Sequence, residues 1–310
     1  MRIVKNILGR IFAFWALLSF VLTFLIIFIP SMFCWLIPDP KGQKLFIQIA
    51  KLWMNVWLRI TGCSVRIKGK SNFKFGETYI VTSNHNSLMD VPLSSPFIPG
   101  ANKTIAKSTF TKVPLFGFYY MKGAVLVNRA NDKSRRQSFD KMKSVLNQGI
   151  HICIYPEGTR NRTSEPLKKF YDGAFKLAVE TKKSIIPAVI FNTKKVLPLD
   201  KAFYFWPHRI EMHFLEPVEV LQKSSDELKQ EVSEVMKAYY SVLENMQQIQ
   251  IAEGDITRLE RSLKDATNQY QAGAADKIDY KRTTISLNNA KARKSGIEDN
   301  LKSRIVYLKL

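Results

Sequence analysis

Cysteine is almost missing from this chain: Cys34, Cys63 and Cys153 are the only three in 310 residues. They are too few and too scattered for a disulfide framework, and with four histidines a zinc site would be short of ligands. Buried free thiols in a reducing compartment are expected instead. Acidic residues are scarce too. The 26 Asp and Glu face 47 Lys and Arg, leaving a net charge of +21. That excess selects anionic partners, whether nucleic acid, anionic headgroups or phosphorylated metabolites, without choosing among them. No G-x-S-x-G elbow is present, so an acyl-enzyme built on such a serine is not expected. The chain is not disordered, since 46% of it is apolar.

Charge is also absent from Ile11 to Pro38, a run of Phe, Leu, Ile and Trp preceded by Arg2, Lys5 and Arg10. The run is longer than the apolar core of a signal peptide, and no small-residue cleavage site follows it. It is long enough to cross about 30 Å of hydrocarbon. The basic start predicts a cytoplasmic N-terminus, and hence an inner-membrane protein whose bulk faces the cytoplasm. Pro30 is expected to break the first helix at or before Ile29. A second apolar run, Leu45 to Ile60, holds Trp53 and Trp57 and is edged by Lys44, Lys51 and Arg59. It reads as a helix in or near the interface, its lysines reaching toward headgroups. Two spanning helices or a shallow re-entrant anchor both satisfy this pattern. Residues 1–62 therefore form the expected membrane anchor.

From about Val65 to Val220 strand-like and helix-like stretches alternate. Strands are expected at Thr78–Ser83, Lys103–Ala106, Ala124–Asn128, His151–Tyr155, Ser184–Phe191 and Ile210–Leu215. Helices are expected at Leu88–Phe97, Pro114–Met121, Lys133–Asn147 and Asp172–Thr181. The alternation predicts an α/β layered domain over residues 63–243 with a largely parallel sheet, whose ligands sit at the carboxyl ends of the strands.

Both chemistry-bearing motifs fall just past strand ends. Asn84-His85-Asn86-Ser87-Leu88-Met89-Asp90 puts an aspartate five residues after a histidine. A carboxylate on one ring nitrogen fixes the tautomer, so that the other nitrogen can take a proton from a substrate hydroxyl. Tyr155-Pro156-Glu157-Gly158-Thr159-Arg160 supplies a tight turn, exposed amides, a hydroxyl and a guanidinium able to grip a phosphate. Arg162 and Lys168 add positive field nearby. The pair predicts activation of a hydroxyl on a phosphorylated substrate.

The H-x4-D of His85 and Asp90 resembles the signature of the glycerolipid acyltransferases, of the 1-acylglycerol-3-phosphate acyltransferase type. The family's later blocks are matched in order: Lys107 to Gly117 with Gly123 to Arg129, then Tyr155 to Arg160, then Ile186-Pro187-Ala188-Val189. The resemblance implies transfer of a fatty acyl chain from acyl-CoA or acyl-carrier protein to the free hydroxyl of a lysophospholipid, usually lysophosphatidic acid. His85 would be the base and Asp90 its orienting partner. Glu157, Gly158, Thr159 and Arg160 would belong to the acceptor site, with Arg160 on the phosphate, and Lys107, Lys112 and Arg129 would be further anion contacts. Neither metal nor cofactor is implied, the acyl donor being a substrate. Asn128 stands where an aspartate is common, which leaves another lyso-lipid or an aminolipid open as acceptor, and the alternative to catalysis is a membrane-anchored, lipid-binding coiled-coil scaffold. Nucleic acid is not an expected partner: no motif supports it and the apolar N-terminus argues against it.

From about Ser224 the pattern changes. Val232, Val235, Tyr239, Val242, Met246 and Ile249 step by three and four, and after a phase slip the spacing resumes from Ala252 to Tyr270. Gln271 to Asp276 reads as a turn, followed by a second helix. Residues 244–310 are thus expected to form a helical hairpin, read either as a solvated coiled-coil appendage that mediates self-association or as a fused fragment without a channel function of its own. Its second half, with Tyr270-x-x-Gly273, Asp279-Tyr280 and Leu287-Asn288-Asn289-Ala290, resembles the hairpin of TolC-type outer-membrane efflux channels. A working channel is excluded by the lack of barrel segments.

Overall fold

The computed structural model describes residues 2–127, 132–273 and 277–308. It divides into two compact units, Met1–Ser233 and Glu234–Leu310. In the first, α1 (Arg2–Phe33) and α2 (Lys41–Ile60) precede an alternation of strands and helices. These are β1 (Val65–Lys68), β2 (Ile80–Ser83), α3 (Asp90–Ser94), β3 (Asn102–Lys107), α4 (Phe116–Gly123) and β4 (Ala124–Val127). There follow α5 (Asp132–Asn147), β5 (His151–Ile154), α6 (Gly173–Thr181), β6 (Ile185–Phe191), α7 (Thr193–Val196) and β7 (Ile210–Phe214). The chain then enters α8 (Ser225–Gln271), inside which the unit boundary falls, and ends in α9 (Lys277–Leu308).

The strands form one sheet in the order β1-β7-β6-β2-β5-β3-β4. β6, β2, β5, β3 and β4 run parallel, and β7 turns antiparallel to β6 and carries β1 in parallel beside it. The sheet is therefore mixed. Short strands with both faces covered explain the continuous apolar runs: Ile80 and Val81 in β2, Ile152 and Cys153 in β5, and Ile185, Ile186, Ala188, Val189 and Ile190 in β6 are all fully buried. β1 escaped the sequence reading because it alternates, Arg66 and Lys68 facing solvent and Val65 and Ile67 half-buried. The helix expected at Leu88–Phe97 is shorter, with α3 ending at Ser94 and a 3-10 turn completing it.

Among the described residues one helix, Ile3–Phe33, is long and apolar enough to cross a membrane. It does not stop before Pro30 but continues through it to Phe33. The proline sits in the last turn, where a missing N–H and a ring affect little helix beyond it. From Gly9 to Phe28 the inward stripe of α1 packs on the domain. Gly9 accepts the Phe205 N–H through its carbonyl at 3.0 Å, and a Cβ there would lie 2.1 Å from the Tyr204 ring. Ala13, Ala16 and Phe24 are buried against α2, whose Trp57 donates to the Ala16 carbonyl at 3.1 Å and whose Trp53 donates to the Thr23 hydroxyl at 2.9 Å. The opposite stripe, including Phe14, Leu18, Leu22, Leu25 and Ile29, is exposed. In α2, Phe46, Ile47, Ala50, Trp53, Met54, Trp57 and Leu58 recur at helical spacing and are buried.

The connection between these helices is tied to the sheet by charge. Asp39 accepts from Lys122 at 2.8 Å and from Lys103 at 3.0 Å. Burial works to raise its pKa, but the two ammonium groups outweigh that and hold the carboxyl below its usual range. Lys122 is only 5% exposed, so removing its partner strands a buried charge. In the second unit, α8 and α9 pair antiparallel through Lys291–Glu260 at 3.0 Å, Lys294–Glu253 at 2.9 Å and stacked Tyr270 and Tyr280. Of the turn expected at Gln271 to Asp276, residues 274–276 lie outside those described.

Asp39→Asn should lower the unfolding free energy in detergent by about 2 kcal/mol near neutral pH, below the 3–5 of a fully buried pair because Asp39 is 20% exposed. A carboxyl with a depressed folded-state pKa stabilises above its unfolded value and loses that contribution as pH falls through the folded one. The gap between wild type and variant in denaturant titrations should accordingly close in acid; a gap that does not depend on pH would contradict the ion-pair account.

Candidate active site

The backbone turns out of β2 at Ser83 and must re-enter as α3 at Asp90, and the intervening loop carries His85. Buried Asn84 clamps its start to β6: its side-chain oxygen accepts the Ile190 N–H at 2.7 Å and its amide donates to the Ile190 carbonyl at 3.0 Å. Asp90, with no solvent exposure, closes the loop from the other side. One oxygen, Oδ2, accepts the N–H of Asn86 at 2.6 Å and of Ser87 at 2.8 Å, and lies 2.8 Å from His85 Nδ1. An oxygen already accepting two amide protons acts as an acceptor toward the ring as well, which puts the imidazole proton on Nδ1. Nε2 is then the basic nitrogen. Ser87 fixes the loop further by donating to the Leu197 carbonyl at 2.8 Å.

The second motif leaves β5 and folds against the first. Tyr155 stacks on the His85 ring with centroids 4.3 Å apart and planes 22° apart, and its hydroxyl is 2.6 Å from Ser94 Oγ in α3. Glu157 does not face solvent: it is fully buried and accepts the His85 backbone N–H at 3.1 Å. Burial raises its pKa to about 7, against the lowering pull of that bond. Asn161 donates its backbone N–H to the His85 carbonyl at 2.6 Å. His85 is therefore held at its ring, its N–H and its carbonyl, while its side chain keeps 17% exposure. Gly158 adopts φ +68°, a left-handed turn that favours glycine. Thr159 accepts from Lys168 at 2.8 Å.

A cavity of about 630 Å³ opens at His85. Its polar rim holds Lys107, Gly158, Thr159 and Arg160, and its walls are Phe20 of α1, Phe46, Ala50, Trp53 and Met54 of α2, and Phe116 and Tyr119 of α4. The structure thus brings together His85, Asp90, Glu157, Gly158, Thr159, Arg160 and Lys107. Lys112 is exposed and does not line this cavity, and Arg129 lies outside the described residues. Tyr155 and Asn161 were not singled out for a role by sequence. Their signal was only proximity to a motif, because stacking and a backbone bond across 76 residues, from His85 to Asn161, leave no spacing to read.

The segment that carries this geometry is similar to known proteins. Residues 64–191 match the Acyltransferase family. The chloroplast 1-acyl-sn-glycerol-3-phosphate acyltransferase of Arabidopsis thaliana is 29% identical over 166 residues, 52% of this chain and 45% of that protein. The 1-acyl-sn-glycerol-3-phosphate acyltransferase of Borreliella burgdorferi is 30% identical over 146 residues, 45% of this chain and 55% of that protein. The chain spans about half the length of the curated relatives it matches. The crystal structure of the 1-acyl-sn-glycerophosphate acyltransferase PlsC from Thermotoga maritima superposes with a TM-score of 0.62 at 26% identity, covering 76% of this chain and 95% of that one. The buried carboxylate that orients a histidine at the mouth of an apolar cavity thus lies within the segment, residues 64–191, that matches the Acyltransferase family.

Proposed function

We propose that the protein transfers a fatty acyl chain from a thioester donor, acyl-CoA or acyl-carrier protein, to the free hydroxyl of 1-acylglycerol-3-phosphate, giving phosphatidic acid. The observation that carries this is the oriented His85–Asp90 pair at the junction of a polar rim and an apolar cavity. In the proposed reaction His85 Nε2 takes the acceptor's hydroxyl proton as its oxygen attacks the thioester carbonyl. The C–O bond forms, the C–S bond breaks, and the imidazolium returns the proton to the departing thiolate. Asp90 holds the ring and stabilises its charged state. Arg160 and Lys107 bind the acceptor phosphate from the rim, with Lys112 and Arg129 as outer anion contacts. Gly158 and Thr159 shape that rim, and Glu157 serves the acceptor site indirectly by bracing the His85 loop. The apolar cavity between α2 and α4 takes the acyl chain.

The same reading assigns residues 1–62 to anchoring, 63–243 to acyl transfer and 244–310 to an appendage. One face of α1 is covered by the domain from Gly9 to Phe28. A helix so covered favours half-immersion in one leaflet over a lipid-surrounded span, with the site at the membrane surface where its lysolipid resides. We place that surface on the cytoplasmic side of the inner membrane, where Arg2, Lys5 and Arg10 of the N-terminus and the anionic headgroups attract. The hairpin exposes Ile251, Ile278, Ile285 and Val306, which supports self-association through it.

With acyl-CoA and a panel of lysolipids, product mass spectra should show phosphatidic acid formed by wild type, and His85→Ala and Asp90→Asn should each lose at least about a hundredfold in rate. Consumption of another lysolipid would move the acceptor and keep the chemistry; no His85-dependent product with either donor would sink the proposal. Arg160→Ala should chiefly raise KM for the phosphorylated acceptor. Because Glu157 titrates at about 7 when folded and near 4.5 when unfolded, the folded state is favoured most below pH 4.5 and loses that contribution as pH rises toward 7. Glu157→Gln should flatten the pH dependence of the denaturation midpoint across that window. Deleting residues 246–310 should leave the rate intact and lower the sedimentation coefficient beyond the mass removed; a change accounted for by mass alone would remove the association role.

A further inference from the structure

A second cavity of about 900 Å³ lies on the other side of the strand ends, between α5 and α6. Ile105, Val127, Ile154, Tyr155 and Gly158 line both cavities, so the two meet along a ridge at the carboxyl ends of β3, β4 and β5. Tyr155, the residue stacked on His85, is part of that ridge. The size is ordinary for a small-molecule site, about 300–1,000 Å³.

We propose that this second cavity holds the phosphopantetheine arm of the acyl donor, the chemistry that acyl-CoA and acyl-carrier protein share. The inference rests on the acyl-transfer reading above. A thioester reacting at His85 with its chain in the apolar cavity has its sulfur at the Tyr155–Gly158 ridge. The arm must leave in a direction that the chain and the acceptor do not occupy, and the α5–α6 cavity begins there. Its walls suit the arm's alternation of methylenes, amides and a terminal phosphate. Phe139 and Ile154 offer apolar surface, while Arg135, Arg136 and Lys176 offer cations. Of the acids in the wall, Glu180 is paired with Lys143 and Asp172 with Lys229 at 2.7 Å, leaving Asp140 as the third. When the C–S bond breaks, the thiolate takes its proton from His85 and stays on an arm that withdraws through this cavity, away from the new ester.

A substitution at Gly173 tests this directly. The residue lines the cavity, and a Cβ added there meets nothing within 4 Å, so a larger side chain starts in open space at the cavity wall. Gly173→Phe should raise KM for both palmitoyl-CoA and palmitoyl-acyl-carrier protein at least tenfold, with less than twofold change in KM for lysophosphatidic acid. Gly173→Ala should behave as wild type, and Arg136→Ala should raise donor KM by a smaller factor. A rise in acceptor KM instead would assign the cavity to the lysolipid, and a rise with acyl-CoA alone would assign it to the nucleotide; either overturns the proposal, as does no change. Equilibrium binding of 4′-phosphopantetheine to the full chain provides a readout independent of turnover. Binding to wild type that Gly173→Phe abolishes supports the site even if no phosphatidic acid is formed, and no binding to wild type refutes it. Should Gly173→Phe fail to fold, Arg136→Ala and Lys176→Ala in the same binding assay decide.

Discussion

The geometry of the candidate site turns on one carboxylate oxygen. Asp90 Oδ2 gathers two backbone amides and one ring nitrogen, and it does so without access to water. Charge-assisted bonds of this kind are short and strong, and in a dry environment they are hard to replace. They convert a flexible strand-to-helix connection into a rigid loop and fix which nitrogen of His85 is basic. The second motif then braces the first instead of standing apart from it. Glu157 and Asn161 hold the two backbone groups of His85, and Tyr155 covers a face of its ring. The proposed base is thereby prepositioned, which lowers the reorganisation needed when charge develops on the imidazole.

The second organising constraint is that α1 and α2 supply side chains to the cavity at His85. Phe20 of α1 and Phe46, Ala50, Trp53 and Met54 of α2 face the cavity, while the other side of α1 is apolar and exposed. The helices that read as a membrane attachment in sequence are structurally a wall of the domain. This explains why α2 spends its aromatic residues inward: Trp53 and Trp57 are buried at 3% and 6% exposure and hydrogen-bonded to α1. An interfacial tryptophan belt would leave them at the surface.

Much of this is legible in the sequence. Six of the seven strands and the placement of both motifs at strand ends follow from alternation of apolar runs and turn residues, since those patterns reflect burial on a sheet. β1 was missed because an edge strand with Arg66 and Lys68 outward carries no continuous apolar run. The antiparallel turn of β7 was illegible for a related reason: burial periodicity is the same in either direction. The His85–Asp90 pair was readable because both members sit on one short loop. The inward turn of Glu157 was not, because a glutamate beside Gly-Thr-Arg looks like a solvent-facing acid until the loop it supports is folded over it. Trp53 and Trp57 likewise signal an interface by residue type and a core by position, and only packing separates the two.

The ion cluster at Asp39 gives the shared wall a practical meaning. By joining the α1–α2 connection to Lys103 of β3 and Lys122 of α4, it ties this helix pair to the same edge of the sheet that borders the cavity. A shortened chain beginning near residue 63 would therefore lose the cavity's aromatic lining and leave Lys103 and Lys122 beside each other with no counter-ion between them. Purification strategies that trim the greasy N-terminus to gain solubility would discard part of the chamber itself, and the amphiphile chosen to keep the whole chain in solution would cover the exposed apolar stripe of α1.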